Sequence, residues 1–102
     1  MKVRILPVAQ ERLLDIWDYT VEKWGEEQAD GYVAGLVGHL HSIAAERMLW
    51  RPVKEHRMSA VYFVKYRHHY VFFREFSGFI GVISILHESM DIPNRLREDI
   101  EE

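Results

Sequence analysis

The chain of 102 residues contains no cysteine. A disulfide framework, a thiolate metal site and a cysteine nucleophile are therefore excluded. No apolar run approaches the roughly 20 residues that span a bilayer. The opening stretch, Met1-Lys2-Val3-Arg4-Ile5-Leu6-Pro7, is too short and proline-broken for the apolar region of a signal peptide. A soluble cytoplasmic protein is expected. There is no G-x-x-x-x-G-K-[ST] phosphate loop, no G-x-G-x-x-G and no H-E-x-x-H. Internal repeats, low-complexity tracts and interdomain linkers are also missing, which leaves one domain. The close histidine pairs do not suit a metal. His39 and His41, two apart on a helix, point about 200° away from each other. His68 and His69 face opposite sides of a strand unless a turn brings them round. No metal or cofactor is expected.

What the chain does have is a core's worth of apolar residues: 48% are hydrophobic, including three Trp, five Tyr and five Phe. At this length burial is limited, so stability is modest unless a partner adds to it. The net charge of −3 hides a strong asymmetry. Residues 1–50 carry five Lys/Arg against eight Asp/Glu, and residues 75–102 carry two against seven. Between them, residues 51–74 hold Arg51, Lys54, Arg57, Lys65, Arg67 and Arg74 against Glu55 alone, with His56, His68 and His69 in the same window. One segment of an acidic chain is basic.

Val3, Ile5 and Leu6 read as a short strand ended by Pro7, which suits the first turn of a helix. Leu13, Ile16, Trp17, Thr20, Val21 and Trp24 then fall on one helical face, and Glu11, Asp15, Asp18 and Glu22 form an acidic stripe on another. Gly25 is the expected stop. A second helix begins near Glu26, with Ala29, Tyr32, Val33, Leu36, Val37, Leu40, Ile43 and Ala44 as its apolar face. Gly31, Gly35, Gly38, Ser42 and Ala45 cluster opposite, either as a solvated face or as a place for another backbone to approach closely. Arg51-Pro52 is expected to end this helix, followed by a polar connection to about Ser59.

Three runs rich in β-branched and aromatic residues follow, at 60–65, 69–76 and 79–86. The gaps between them are too short for parallel crossovers, so they form an antiparallel meander. The end of the chain is expected to make one helical turn at 93–96 before fraying into an acidic tail. The expected fold is α+β, in the order β-α-α-β-β-β, with a helical hairpin packed on a small, mainly antiparallel sheet. Residues 1–97 form the domain and 98–102 the tail.

Lys65, Arg67 and Arg74, beside Tyr66, Tyr70 and Phe72, are expected to line one positive edge. Cations interleaved with aromatics suit single-stranded nucleic acid, and equally describe an ordinary solvated hairpin. His87 ends the third run, in Ile85-Leu86-His87-Glu88-Ser89-Met90-Asp91. It is placed either as a general acid or base or as a strand cap bonded to Glu88 or Asp91.

Four stretches together resemble the RelE/ParE superfamily of bacterial toxin–antitoxin toxins, and its ParE branch in particular. They are residues 9–19, the turn Trp24-Gly25-Glu26-Glu27-Gln28-Ala29 (W-G-x-x-Q-A), the strand pair around 67–74, and the L-H-x-x-M-D ending at Leu86–Asp91. The resemblance implies a helical hairpin on a small antiparallel-type sheet. It also implies a toxin neutralised by a cognate ParD-like antitoxin in a hetero-oligomer, acting as an inhibitor of DNA gyrase that blocks replication. RelE-like relatives on the same scaffold are instead ribosome-dependent mRNA endonucleases, in which case His87 would be the catalytic acid or base. A toxin reduced to antitoxin binding is a third reading.

The L-H-x-x-M-D ending favours the ParE reading, as does the low basic count for a protein working against ribosomal RNA. Relatives often carry an arginine before I-L-H where this chain has Ser84, which weakens the nuclease reading and bears on toxicity. The target-binding candidates are Lys65, Arg67, Arg74, His87, Met90 and Asp91. No membrane association and no tight direct nucleic-acid binding are expected.

Overall fold

A computed structural model describes residues 2–54, 58 and 60–100 of the chain. His56, Arg57 and Ser59 of the basic window and connection, and Glu101 and Glu102 of the tail, lie outside the described residues. Among those described, no helix is long and apolar enough to cross a membrane.

The first strand, β1 (Lys2–Ile5), feeds α1 (Pro7–Trp24), with proline in the first turn as its missing N–H allows. Gly25 stops α1 and at once begins α2 (Glu26–Ala44). Its φ of +93° and ψ of 168° belong to a region open essentially to glycine, so one residue reverses the chain. The hairpin is fastened by Trp17, whose Nε1 donates to Asp30 at 2.9 Å.

The second helix ends at Ala44, well before Arg51. A 3-10 turn at Arg47–Leu49 follows, and Trp50 becomes buried, its indole donating to the Ile43 carbonyl at 2.9 Å. Anchored there, the chain leaves the helix early, and Arg51–Pro52 forms a two-residue strand, β2. It is an edge strand, where proline is tolerated.

The meander follows as β3 (Tyr62–Tyr66), β4 (His69–Phe76) and β5 (Phe79–His87). The sheet order is β1-β5-β4-β3-β2, antiparallel except for the parallel pairing of β1 with β5. β1 reaches only Phe79–Val82 of β5. The α+β class, the helical hairpin on the sheet and the mainly antiparallel meander are all as expected.

Strand alternation gives the sheet two apolar faces. One packs Val64, Val71, Phe73, Ile80, Val82 and Ile85 beneath Ile16, Leu36, Leu40 and Ile43 of the helical hairpin. The other packs Phe72, Ile83 and Leu86 against Leu96, Met58 and Val61. The single turn expected at 93–96 is instead a nine-residue helix, α3 (Ile92–Ile100). Ile92, Leu96 and Ile100 recur every four residues and bury one stripe. The acidic composition, read as a fraying tail, conceals an inward-facing Asp99. Glu98 and Asp99 are thus helical residues.

The glycine-lined side of α2 divides. Side chains added at Gly31 or Gly38 would meet open space, whereas a Cβ on Gly35 would overlap the Tyr66 hydroxyl, with Cζ at 3.2 Å. Tyr66 fits a slot between Tyr32 and His39, with ring centroids 5.4 and 5.5 Å away. The close approach is made by a side chain of the chain's own β3, not by a partner's backbone.

Candidate functional site

A cleft of about 680 Å³ opens between the hairpin of α1 and α2 and the far end of the meander. Trp24 and Gln28, from the W-G-x-x-Q-A stretch, lie on one side, and His87 and Met90, from L-H-x-x-M-D, on the other. Roughly sixty residues of sequence separate the two motifs, and folding brings them to one surface. Tyr19, Trp24 and Met90 are large apolar side chains left 56%, 60% and 43% exposed on this cleft. Trp24 therefore departs from the buried face expected of it. It sits at the C-terminal end of α1, in the last turn.

The turn between β3 and β4 consists of Arg67 and His68, with Tyr66 paired to His69. Arg67 has φ +52°, a left-handed conformation costing a non-glycine residue about 1–2 kcal/mol. The turn does what a plain strand cannot and gathers both histidines against His87. The His69 and His87 rings meet edge to face at 5.0 Å, and His68 stacks on His87 at 6.3 Å. Among the described residues, no group of three His, Asp or Glu side chains is disposed to hold a metal.

Glu88 locks this end. Its backbone N–H donates to the His68 carbonyl at 2.9 Å, and its carboxylate meets Lys65 Nζ at 2.9 Å and His68 Nδ1 at 2.7 Å. Lys65 first, then His68, holds the Glu88 carboxyl down at about 2, and Glu88 in turn raises Lys65. Burial, aided by His87 and His68, lowers His69 to about 4. His69 is neutral at pH 7, and its Nδ1 is 2.7 Å from the Tyr32 hydroxyl. Burial raises Tyr32, which keeps the phenol protonated.

His87 bonds to neither Glu88 nor Asp91. Its Nδ1 lies 3.0 Å from the Ser89 N–H, which donates to it, and 2.7 Å from Ser89 Oγ. With Nδ1 accepting, the remaining ring nitrogen, Nε2, carries the proton and can only donate.

The six target-binding candidates separate. Arg67, His87 and Met90 line the cleft. Lys65 stands behind it, spent on Glu88. Asp91 accepts from Asn94 and the Arg95 N–H at the start of α3. Arg74 is opposite Gly81, while Lys65 is opposite Tyr70. Four residues of β4, about 13 Å, therefore separate Arg74 from the level of Lys65, and the three cations do not form one edge.

A network absent from the sequence reading joins the cleft to the opposite sheet face. Arg12 of α1, on the cleft, donates through Nη2 and Nε to Asp99 of α3 at 2.7 and 3.1 Å. Ser84, fully buried on β5, donates to the same carboxylate at 2.6 Å. Position 84 is thus an interior partner of Asp99, and the nearby cation comes from α1. No spacing rule connects residues 87 apart.

The profile of the family described as ParE toxin of type II toxin-antitoxin system, parDE, matches residues 3–92. Toxin ParE1 of Mycobacterium tuberculosis (strain CDC 1551 / Oshkosh) is 33% identical over 96 residues, covering 88% of this chain and 92% of that protein. Toxin ParE of Escherichia coli is 33% identical over 91 residues, covering 88% and 87%. Among solved structures, a chain of the chromosomal ParDE TA system from P. aeruginosa superposes with a TM-score of 0.74 at 21% identity, covering 85% of this chain and 95% of that one. A chain of the toxin-antitoxin complex RelBE2 from Mycobacterium tuberculosis superposes at 0.64 with 11% identity, covering 87% and 92%. At those identities the two structures speak for the fold.

Proposed function

The chain belongs to the ParE toxin family of type II toxin–antitoxin systems, and from that premise we propose that it inhibits DNA gyrase in the cytoplasm and is neutralised by a ParD-type antitoxin. One observation carries the reading. Both motifs that resemble the ParE branch converge on a single cleft, with Trp24 and Gln28 facing His87 and Met90. Exposed Tyr19, Trp24 and Met90 give that cleft the apolar, ring-rich wall that receives a protein segment. Arg67, held in its left-handed turn, adds a charge at the rim.

In this reading Arg67, His87 and Met90 contact target or antitoxin directly, and Lys65 positions the turn through Glu88. The antitoxin segment is disordered alone and folds on the cleft, which protects the backbone amides of α1 from exchange.

The test is a supercoiling assay with purified gyrase. Inhibition is expected with the chain alone, and activity returns on adding the antitoxin encoded beside it. Trp24→Ala with Met90→Ala weakens antitoxin binding at least tenfold. Full supercoiling at tenfold molar excess of a folded chain contradicts the gyrase reading, and mRNA cleavage on translating ribosomes would replace it.

A further inference from the structure

At the end of the sheet away from the cleft, the face shared with α3 carries a ladder of planar groups. The Arg4 guanidinium carbon lies 4.4 Å from the centroid of the Phe79 ring. Phe79 stacks in turn on Phe76, with centroids 5.0 Å apart and planes 12° from parallel. Phe76 is 38% exposed and, like Phe79, belongs to neither core cluster. Gly81 makes room for it, since a Cβ there would come within 2.5 Å of the Phe76 ring. The ring is therefore seated at a fixed place on the sheet.

The register sets charge around this ladder. Arg4, Gly81 and Arg74 form one row across β1, β5 and β4, and Lys2, Phe79 and Phe76 form the next. Alternation puts Lys2, Arg4 and Arg74 on the same face as the two rings. Among the described residues none of the three has an ion-pair partner. Glu75, the acid beside Arg74, is on the other face and pairs with Arg47. Three uncompensated cations around an exposed, braced ring serve neither core.

We propose that this end of the sheet binds a short run of single-stranded nucleic acid, with phosphates on Lys2, Arg4 and Arg74 and a base stacked on Phe76. An acidic peptide would satisfy the cations but has no planar group in every residue to extend the ladder. A nucleotide strand supplies charge and a π face together, and stacking tolerates any base. With the three cations engaged on phosphates and the two rings offering only π faces, no side chain is left to read a 2′-hydroxyl or a base edge, so neither sugar nor sequence is selected. Three phosphate contacts make binding weak and salt-sensitive, in keeping with a chain not expected to hold nucleic acid tightly. The proposal is independent of the gyrase reading.

The experiment is fluorescence anisotropy of a labelled twelve-nucleotide oligo(dT) titrated with the 102-residue chain. The expected slope of log affinity against log salt is about −2, so a fourfold rise in salt weakens binding about 16-fold. Arg4→Gln with Arg74→Gln, which touches neither core and is checked for folding by circular dichroism, weakens binding at least tenfold. Phe76→Ser does the same, and oligo(U) binds within threefold of oligo(dT). No saturable binding overturns the proposal, as does binding that both variants leave unchanged. Displacement of oligo(dT) by polyglutamate at equal charge concentration overturns it in favour of an acidic peptide.

Discussion

Removing the guanidinium of Arg12 should unhinge two helices that lie on opposite faces of the sheet. The Asp99 side chain is 5% exposed and receives three donors, two from Arg12 and one from Ser84. In Arg12→Ala that carboxylate keeps only the serine hydroxyl. Stripping one partner from a buried pair costs about 3–5 kcal/mol. Arg12 is itself 22% exposed, which places the expected loss near the lower end, about 3 kcal/mol. Asp99→Asn keeps the shape but removes the charge and sets an amide donor against other donors. Two charge-assisted bonds at about 1.5–3 kcal/mol each are lost or weakened, for a net effect of about 2–3 kcal/mol. Ser84→Ala removes one bond to an oxygen that Arg12 still satisfies, costing about 1 kcal/mol.

Urea unfolding followed by the fluorescence of Trp17, Trp24 and Trp50 measures all three. In a domain of this size about 1 kcal/mol moves Tm by roughly 4–8 °C, so Arg12→Ala should melt about 15 °C lower. Because both residues act through one contact, Arg12→Ala combined with Asp99→Asn should cost at least about 1 kcal/mol less than the sum of the single changes. Equal losses for Arg12→Ala and Ser84→Ala, or strict additivity in the double variant, would refute a charge-based link between α1 and α3.

Stability should also fall on acidification through His69. Its folded value of about 4 is below the ordinary 6.5, so the unfolded chain binds the proton first, and stability is complete above 6.5 and lost as pH drops toward 4. The ring is partly exposed, so after allowance for solvent screening the loss is about 1–2 kcal/mol. His69→Gln should flatten the urea midpoint between pH 7 and 4.5, and a slope unchanged by it would count against the assignment. Glu88, held at about 2, adds a further decline below its ordinary 4.5. The glycines of α2 should part company in thermal melts. Gly31→Ala and Gly38→Ala, facing open space, gain about 0.5–1 kcal/mol, while Gly35→Ala loses about 1–2 kcal/mol against the wedged Tyr66. A stabilised Gly35→Ala would show that the Tyr66 ring is free to move.

The elements that local rules describe were legible. Pro7 and Gly25 bracket α1, the apolar stripe from Ala29 to Ala44 defines α2, and the turns at 67–68 and 77–78 mark the meander. What escaped depends on contacts distant in sequence. α2 stops at Ala44 because Trp50 docks its indole on the Ile43 carbonyl, which no periodicity encodes. α3 is long because Asp99 finds Arg12 and Ser84, and a carboxylate in an acidic stretch otherwise reads as solvated. At the site, His87 and Met90 stood out through their motif, which also holds Ser89, the partner of His87, whereas Tyr32, the partner of His69, is 37 residues away and is brought there by the fold.

Charge shows why a linear window and a surface are different objects. The basic segment at 51–74 counts five more cations than acids, yet Lys65 is committed to Glu88, just past the end of β5. Arg67 leans over Tyr66 at the turn, and Arg51 belongs to the far edge strand. Arg74 leaves the window altogether in space and joins Lys2 and Arg4 from the opposite end of the sequence. Among the described residues, this group of three unpaired cations is thus assembled from two segments, one of them inside a half that is net acidic. The cleft that collects the ParE-like motifs is mostly rings and apolar side chains. A protein of this family that meets both a protein partner and a charged polymer has, on this geometry, separate places for each. Loss of one activity with retention of the other, in Trp24→Ala with Met90→Ala against Arg4→Gln with Arg74→Gln, is the behaviour that follows.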